Sequence, residues 1–418
     1  MTDLVPDADT DTDRAIRIGH LALFGRFLMF GCLAFGGPVA QIAMIRRDLV
    51  ERDRWMSPGH FNRLLAVMQV LPGPEAHELC VHMGIRARGR IGGLLAGLGF
   101  MLPGFVLMMG AAWAYVTFGL GQGVLAAAFL GIQVAVLAVI VRAVHRIGQH
   151  ILEDRLLWAL AIIAGVATLA GISFWLVLVG SGLVYALWQA GRTGLAIAAG
   201  LVAIIAGGLG LVLVAESGTG WPSMNGLAGG MEGTDSAPAS AAGIVALFLA
   251  GLKAGLLTFG GAYTAIPFVR ADTVGRGWIG EGQFLDGVAI SGVLPAPLII
   301  FCTFVGYVAG GPWGALAITA GVFLPAFAFS MIFYERLERV MDMAALQTLL
   351  AGVAAGVVGI IAAATIQLAW ATAPRLPSLW PALLIFAVAL AIVYLWKSRF
   401  SAVVIVALAG MAGWLAFG

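Results

Sequence analysis

The sequence predicts an all-α integral membrane protein, folded as two inverted-topology repeats with discontinuous or re-entrant helices. Three observations predict it. Of 418 residues, 61% are apolar and 11% charged, against roughly 25% charged in an ordinary soluble domain, and the mean hydropathy is +1.00. The apolar residues are gathered into about 13 continuous runs without period-two alternation, the mark of membrane helices rather than of a barrel. A set of Trp, Phe, Gly and Pro positions recurs in order roughly half a chain later. Soluble enzymes, nucleic-acid binders and secreted modules are excluded by the first observation, because a soluble surface needs far more polar area.

Residues 1–18 read as an acidic cytoplasmic tail. They carry Asp3, Asp7, Asp9, Asp11 and Asp13 and have little to bury, so disorder is expected. The basic start and apolar core of a signal peptide are missing. The first repeat, 19–215, holds seven runs, at about 19–45, 61–84, 91–117, 122–142, 156–171, 172–190 and 194–215. A Gly-, Ser- and Ala-rich stretch makes 216–242 a linker. The second repeat, 243–418, holds six, at about 243–268, 284–309, 312–334, 344–372, 378–396 and 399–418. The run at 344–372 exceeds one crossing and is expected to tilt or bend. Cys32, Cys80 and Cys302 stand far apart in apolar surroundings and read as packing residues, not as a disulfide framework or metal knuckle.

The duplication is legible motif by motif. Phe35-Gly36-Gly37-Pro38 aligns with Phe259-Gly260-Gly261-Ala262 at an offset of 224. Trp55, Phe61, Leu71, Pro72 and Pro74 align with Trp278, Phe284, Leu294, Pro295 and Pro297 at 223. Gly92, Pro103 and Phe105 align with Gly314, Pro325 and Phe327 at 222. Each slip falls between motifs, where a loop absorbs it. An odd number of crossings before the second copy turns it upside down, as in many secondary transporters.

Two topologies fit the Lys and Arg distribution. If every run spans and the N-terminus is cytoplasmic, 15 of the loop cations lie inside and six outside, the anomaly being the arginines of 46–63. If the first two runs of each half are re-entrant hairpins, the score becomes 18 to three. Both alternatives are carried forward.

Gly36-Gly37-Pro38 and Pro72-Gly73-Pro74 interrupt apolar runs. Proline removes a backbone donor and disfavours helix before it, and glycine admits unusual backbone angles. Broken backbone at membrane depth is tolerated only where it lines a protein cavity. A helix that restarts there aims free N–H groups and a positive dipole end into the cavity, which suits an anion. The alternative reading is packing kinks.

The run Phe35-Gly36-Gly37-Pro38-Val39-Ala40-Gln41-Ile42, then Trp55, Phe61 and Gln69-Val70-Leu71-Pro72-Gly73-Pro74-Glu75-Ala76, resembles the chromate ion transporter family, two-domain long-chain type. So does its echo, Phe259-Gly260-Gly261 through Trp278 to Val293-Leu294-Pro295-Ala296-Pro297. The resemblance covers roughly 19–115 and 243–334. It implies export of chromate across the bacterial cytoplasmic (inner) membrane, with sulfate as the isosteric tetrahedral dianion. Expected partners are therefore chromate, sulfate, membrane lipids and, in a homodimer, a second copy of the chain. No nucleic acid, cofactor, metal or enzymatic activity is expected. Competing readings are a sulfate or other oxyanion carrier and a passive anion channel.

The expected substrate-binding residues are Gly36, Gly37, Gln41, Gln69, Pro72, Gly73, Gly260, Gly261, Pro295 and Ala296 at the breaks, with Arg26 and Lys253 as in-span cations. Lys253 lies six residues before Phe259, and its counterpart in the first half is Met29, with Arg26 nearby as a substitute. Ala296 stands where the first half has Gly73. Glu75 and Glu78 share one face of the helix restarting after Pro74, and repulsion between Glu75 and a dianion suggests proton–anion exchange. Against these stand interfacial snorkelling for the cations and ordinary helix-end charge for the acids. His77 and His82 read as packing residues. Arg63 and Asp286, at equivalent positions, are candidates for a bridge between halves. Arg86, Arg88 and Arg90 read as an anchor patch.

Overall fold

A computed structural model describes residues 16, 18–35, 37–68, 73–121, 124–216, 242–258, 262–333, 344–396 and 401–418. Among them the chain is α-helical and carries no strand. The first half contains α1 (His20–Cys32), α2 (Gly37–Ile45, continued by a π-helical turn Arg46–Arg52), α3 (Pro58–Met68), α4 (Glu75–Phe118), α5 (Val124–Ile151), α6 (Arg155–Leu169), α7 (Phe174–Gln189) and α8 (Thr193–Glu216). The second contains α9 (Ile244–Leu256), α10 (Ala265–Thr273), α11 (Glu281–Ser291), α12 (Phe301–Phe333), α13 (Ala344–Thr372), α14 (Leu379–Leu395) and α15 (Ser401–Phe417). Short 3-10 turns, Ala262–Thr264 and Leu298–Ile300, lead into α10 and α12.

α4 is not one rod. Arg88 and Gly89 leave helical geometry (φ −148°, ψ 29° and φ 62°, ψ −161°), and Gly310 and Gly311 of α12 do the same (φ −152°, ψ 21° and φ 64°, ψ −160°). The two turns lie at the repeat offset of 222, and the positive φ in each falls on glycine, the residue that reaches it without strain. Each turn folds its helix into a tight hairpin. A side chain at Gly84 would strike the Gly92 backbone, one at Gly314 would strike Gly306, and the Thr303 and Thr319 hydroxyls meet across the second hairpin at 2.8 Å. The long second leg of α4, 90–118, is about 43 Å at 1.5 Å per residue and crosses a bilayer core of about 30 Å. The 13-residue α1 is about 20 Å long and does not cross by itself.

The contacts around α1–α3 select the re-entrant topology. The Arg88 side chain donates to the Ile18 carbonyl, so the α4 turn lies beside the start of α1. Arg86 donates to the Trp55 carbonyl at 3.0 Å, and Asp53 pairs with Arg26. The chain thus descends in α1, breaks, and returns through α2 to the level where it began. The arginines of 46–54 end on the same side as Arg86, removing the anomaly of the all-spanning count. In the second half the Ala242 N–H meets the Ala309 carbonyl, so α9 likewise begins beside the α12 turn. The two hairpins run in opposite senses. Tyr115, near the far end of α4, packs edge-on against Phe304 (5.0 Å), two turns from the α12 bend.

The remaining helices interlock the halves. α5 packs against α14 and α15, whereas α13 packs against α6 and α7. Each long helix is therefore seated in the opposite half, and α5 and α13 also touch each other. The outer faces are apolar and exposed, as at Ile162, Val166, Ile205 and Trp380, which suits lipid rather than water.

The Gly73/Ala296 departure is compensated. Gly73 packs toward Ala326, and Ala296 packs against Gly104. Each contact across the pseudo-two-fold axis thus contains one methyl group, contributed by opposite members. Gly104→Ala should overpack this contact and destabilise the protein by about 1–3 kcal/mol. Adding Ala296→Gly should recover most of the loss, as read from thermal melting of the detergent-solubilised protein.

Candidate functional site

The helices break at four places that the fold brings to one centre. α1 ends at Cys32 and α2 begins at Gly37, which has φ +77°. Gly73, with φ +149°, precedes α4. α9 ends at Leu256, and residues 292–297 separate α11 from the turn leading into α12. The breaks satisfy one another's backbone groups. The Gly73 N–H donates to the Thr258 carbonyl at 2.8 Å. The buried Gln41 amide donates to the Ala34 carbonyl at 2.9 Å and the Ala296 carbonyl at 3.0 Å. Gly73–Thr258 and Ala296–Ala34 are equivalent pairs in the two repeats; one is closed directly by backbone and the other through Gln41.

Four helix beginnings, those of α2, α4, α10 and α12, therefore face the region where the repeats meet. Their unpaired N–H groups and positive dipole ends make it favourable for negative charge. Two buried acids stand in the first turns of α4. Glu75 is 6% and Glu78 0% exposed. The Glu78 carboxylate lies beneath Gly73, where a Cβ would come within 2.9 Å of its Cδ, and neither carboxylate oxygen has a hydrogen-bond partner among the described residues. Only glycine fits at 73, for space and for φ.

Of the sequence-predicted site residues, the structure brings Gly37, Gln41, Gly73, Glu75, Glu78, Pro295 and Ala296 to the centre. Gly36, Gln69, Pro72, Gly260 and Gly261 lie outside the described residues. The expectation that Arg26 and Lys253 counter the substrate's charge meets a different arrangement. Arg26 pairs with Asp53, and Lys253 Nζ lies 2.9 Å from an Asp272 carboxylate oxygen. The two cations play matching parts from non-matching positions: each ties a re-entrant helix to the chain returning beside it. The Arg26 guanidinium also lies over Trp55, 5.2 Å from the ring centroid.

The apolar run at 122–142 puts Arg142 at its end and Arg146 beyond it, yet α5 continues to Ile151. Arg146 lies within electrostatic range of Glu75, and both arginines within range of Tyr263, just past the break after α9. Their i, i+4 spacing was the available signal.

Asp286 belongs to a separate buried cluster. It accepts from Tyr115 Oη and Gln133 Nε2, each at 2.7 Å, and Arg375 donates to Gln133 Oε1 at 3.2 Å. These contacts pin α11 to α4 and α5. The Arg63 side chain, its proposed partner, lies outside the described residues. His77 packs between the Phe323 and Phe327 rings (4.8 and 4.7 Å), as a packing residue does. All three cysteines are free, and no metal-ligating cluster occurs among the described residues.

A family model described as chromate transporter matches residues 21–187 and 245–414. The chain is 58% identical over 395 residues to a chromate transport protein of Pseudomonas aeruginosa, covering 94% of this chain and 92% of that one. It is 30% identical over 347 residues to a chromate transport protein of Cupriavidus metallidurans, covering 82% and 81%. It is 28% identical over 362 residues to a probable chromate transport protein of Synechococcus elongatus, covering 84% and 85%. No solved structure matches the chain.

Replacing Gln41 by Leu strands two buried carbonyls and should cost about 1–3 kcal/mol, read as a lowered melting temperature with the helical circular dichroism retained. Asp53 supplies a pH test. Burial pushes its carboxyl up, but hydrogen bonds and charge from Arg26 and Arg52 outweigh this and hold it below its ordinary value. The stability it contributes is present above the unfolded carboxylate range and lost as pH falls through the depressed value. Melting temperatures across an acid series should fall for the native chain, and Asp53→Asn should start lower and fall less.

Proposed function

The chain belongs to the chromate transporter family, and from that premise we propose that it exports chromate as a secondary transporter of the bacterial cytoplasmic membrane. The observation that supports this most directly is the meeting of four broken helices from two inverted halves. Such a meeting point presents backbone N–H groups to a tetrahedral dianion from opposite sides, and a rocking of one half against the other exposes it to each face in turn. Sulfate, of equal charge and similar shape, competes for the same donors.

The electrostatics favour export. Taking the N-terminal side as cytoplasmic, moving two negative charges outward through 100 mV releases about 4.6 kcal/mol, twice the single-charge figure. Glu75 adds a proton-sensitive element. It is buried in the first turn after a break, with Glu78 one turn on and Arg146 and Tyr263 nearby. Charged, it repels the dianion; protonated, it admits it. An exchange of protons for substrate follows from this alternation.

Radiolabelled chromate uptake into inside-out vesicles tests the reading. Uptake should saturate, fall with excess sulfate, and respond to collapse of the proton gradient. Glu75→Gln should flatten the pH dependence while leaving membrane insertion intact. Flux that is strictly proportional to the gradient would instead indicate a passive channel, and an unchanged pH profile in Glu75→Gln would remove the coupling role.

A further inference from the structure

Arg142 and Arg146 stand apart from the other cations in the membrane part of the fold. Both lie within the apolar span 125–149, where charge is costly and calls for a reason. Both are half-buried. Arg26 and Lys253 have carboxylate partners, whereas Arg142 and Arg146 form no ion pair among the described residues. One helical turn separates them, so the guanidinium groups share a face with roughly 6 Å between their Cβ atoms. Arg142 lies over the Tyr394 ring, 5.9 Å from its centroid, and His145 meets the Tyr394 hydroxyl at 2.7 Å. That ring contact holds the Arg142 side chain without neutralising it. Tyr263 lies within electrostatic range of both arginines, and Glu75 within range of Arg146, with no direct contact between them.

The arrangement is a charge of +2 on one face of α5, with the buried Glu75 within electrostatic range of Arg146. Two adjacent guanidinium groups repel each other and match a tetrahedral dianion in charge and in hydrogen-bonding geometry. An interfacial anchor would need neither the proximity to a helix break nor the facing acid.

We propose that Arg142 and Arg146 are substrate-binding residues: they form the cationic port through which the oxyanion reaches the broken helices, Tyr263 offers its hydroxyl, and the arriving dianion takes up the field of Arg146 that Glu75 otherwise shares. This rests on the oxyanion reading given above. It assigns recognition of the dianion's charge to α5, a helix seated in the opposite repeat, rather than to Arg26 and Lys253.

Equilibrium binding of labelled chromate and of labelled sulfate to the full, detergent-solubilised chain tests it. Arg142→Gln and Arg146→Gln should each weaken binding tenfold or more, and the Lys variants should recover part of the loss. The exposed Arg155→Gln should match the native chain. Glu75→Gln should act in the opposite sense and tighten binding several-fold, a shift that a merely structural role does not give. Size-exclusion profiles identify any variant that fails to fold, in which case the Lys variants and Glu75→Gln carry the test. Native affinity in folded Gln variants, or no tightening in Glu75→Gln, overturns the proposal while leaving the oxyanion reading in place. A native chain that binds neither anion overturns both.

Discussion

The constraint on which the structure depends is that peptide groups in a bilayer must find partners inside the protein. Four helix breaks near mid-depth would leave many N–H and C=O groups stranded in hydrocarbon, each at a cost of several kcal/mol. The chain meets this by letting the interruptions serve one another. Gly73 closes onto Thr258, and Gln41 joins Ala34 to Ala296. Such mutual satisfaction requires breaks from both repeats at the same depth, which inversion of the second copy provides. The glycines at the hairpin bends and the small residues at the contacts between halves follow from it, because the helices must approach closely enough for the backbones to meet.

The distribution of charge follows the same logic. Each helix beginning contributes only about half a positive charge, and that effect fades beyond the first turn. Clamping Arg26 on Asp53 and Lys253 on Asp272 removes strong, unselective cations from the interior and uses them to hold re-entrant segments to their neighbours. What remains near the centre is graded: fractional charges from backbone ends, two acids in the first turns of α4, and two arginines on α5. Under the function proposed above, a site built in this way would hold an anion without binding it irreversibly.

Much of this was legible in the sequence, because it rests on covalent properties of residues. Proline and glycine announce where a membrane helix cannot continue, and α2 and α4 do begin at or just after those positions. The bends at Arg88–Gly89 and Gly310–Gly311 obey the repeat offset read from Trp, Phe and Pro, but nothing in the sequence reading marks either as a hairpin. Less legible was whatever depends on which surfaces meet. Read alone, Arg26 and Lys253 look like substrate cations, because nothing local marks Asp53 and Asp272 as their partners. Arg142 ends an apolar run and Arg146 lies just past it, and only the longer helix brings them within electrostatic range of Tyr263. The Gly73/Ala296 difference looked like a broken symmetry until Gly104 and Ala326 were seen opposite them.

The exchange of α5 and α13 between repeats has a consequence for biogenesis. A ribosome delivers α5 some 250 residues before α14 and α15, the surfaces that cover it. The N-terminal half must therefore wait in the lipid with its long helix uncovered, because its lasting neighbours have not been synthesised. Contacts of such wide sequence separation close slowly. The seating of α5 must therefore wait for α14 and α15, and truncation of either would unseat a helix made in the first half.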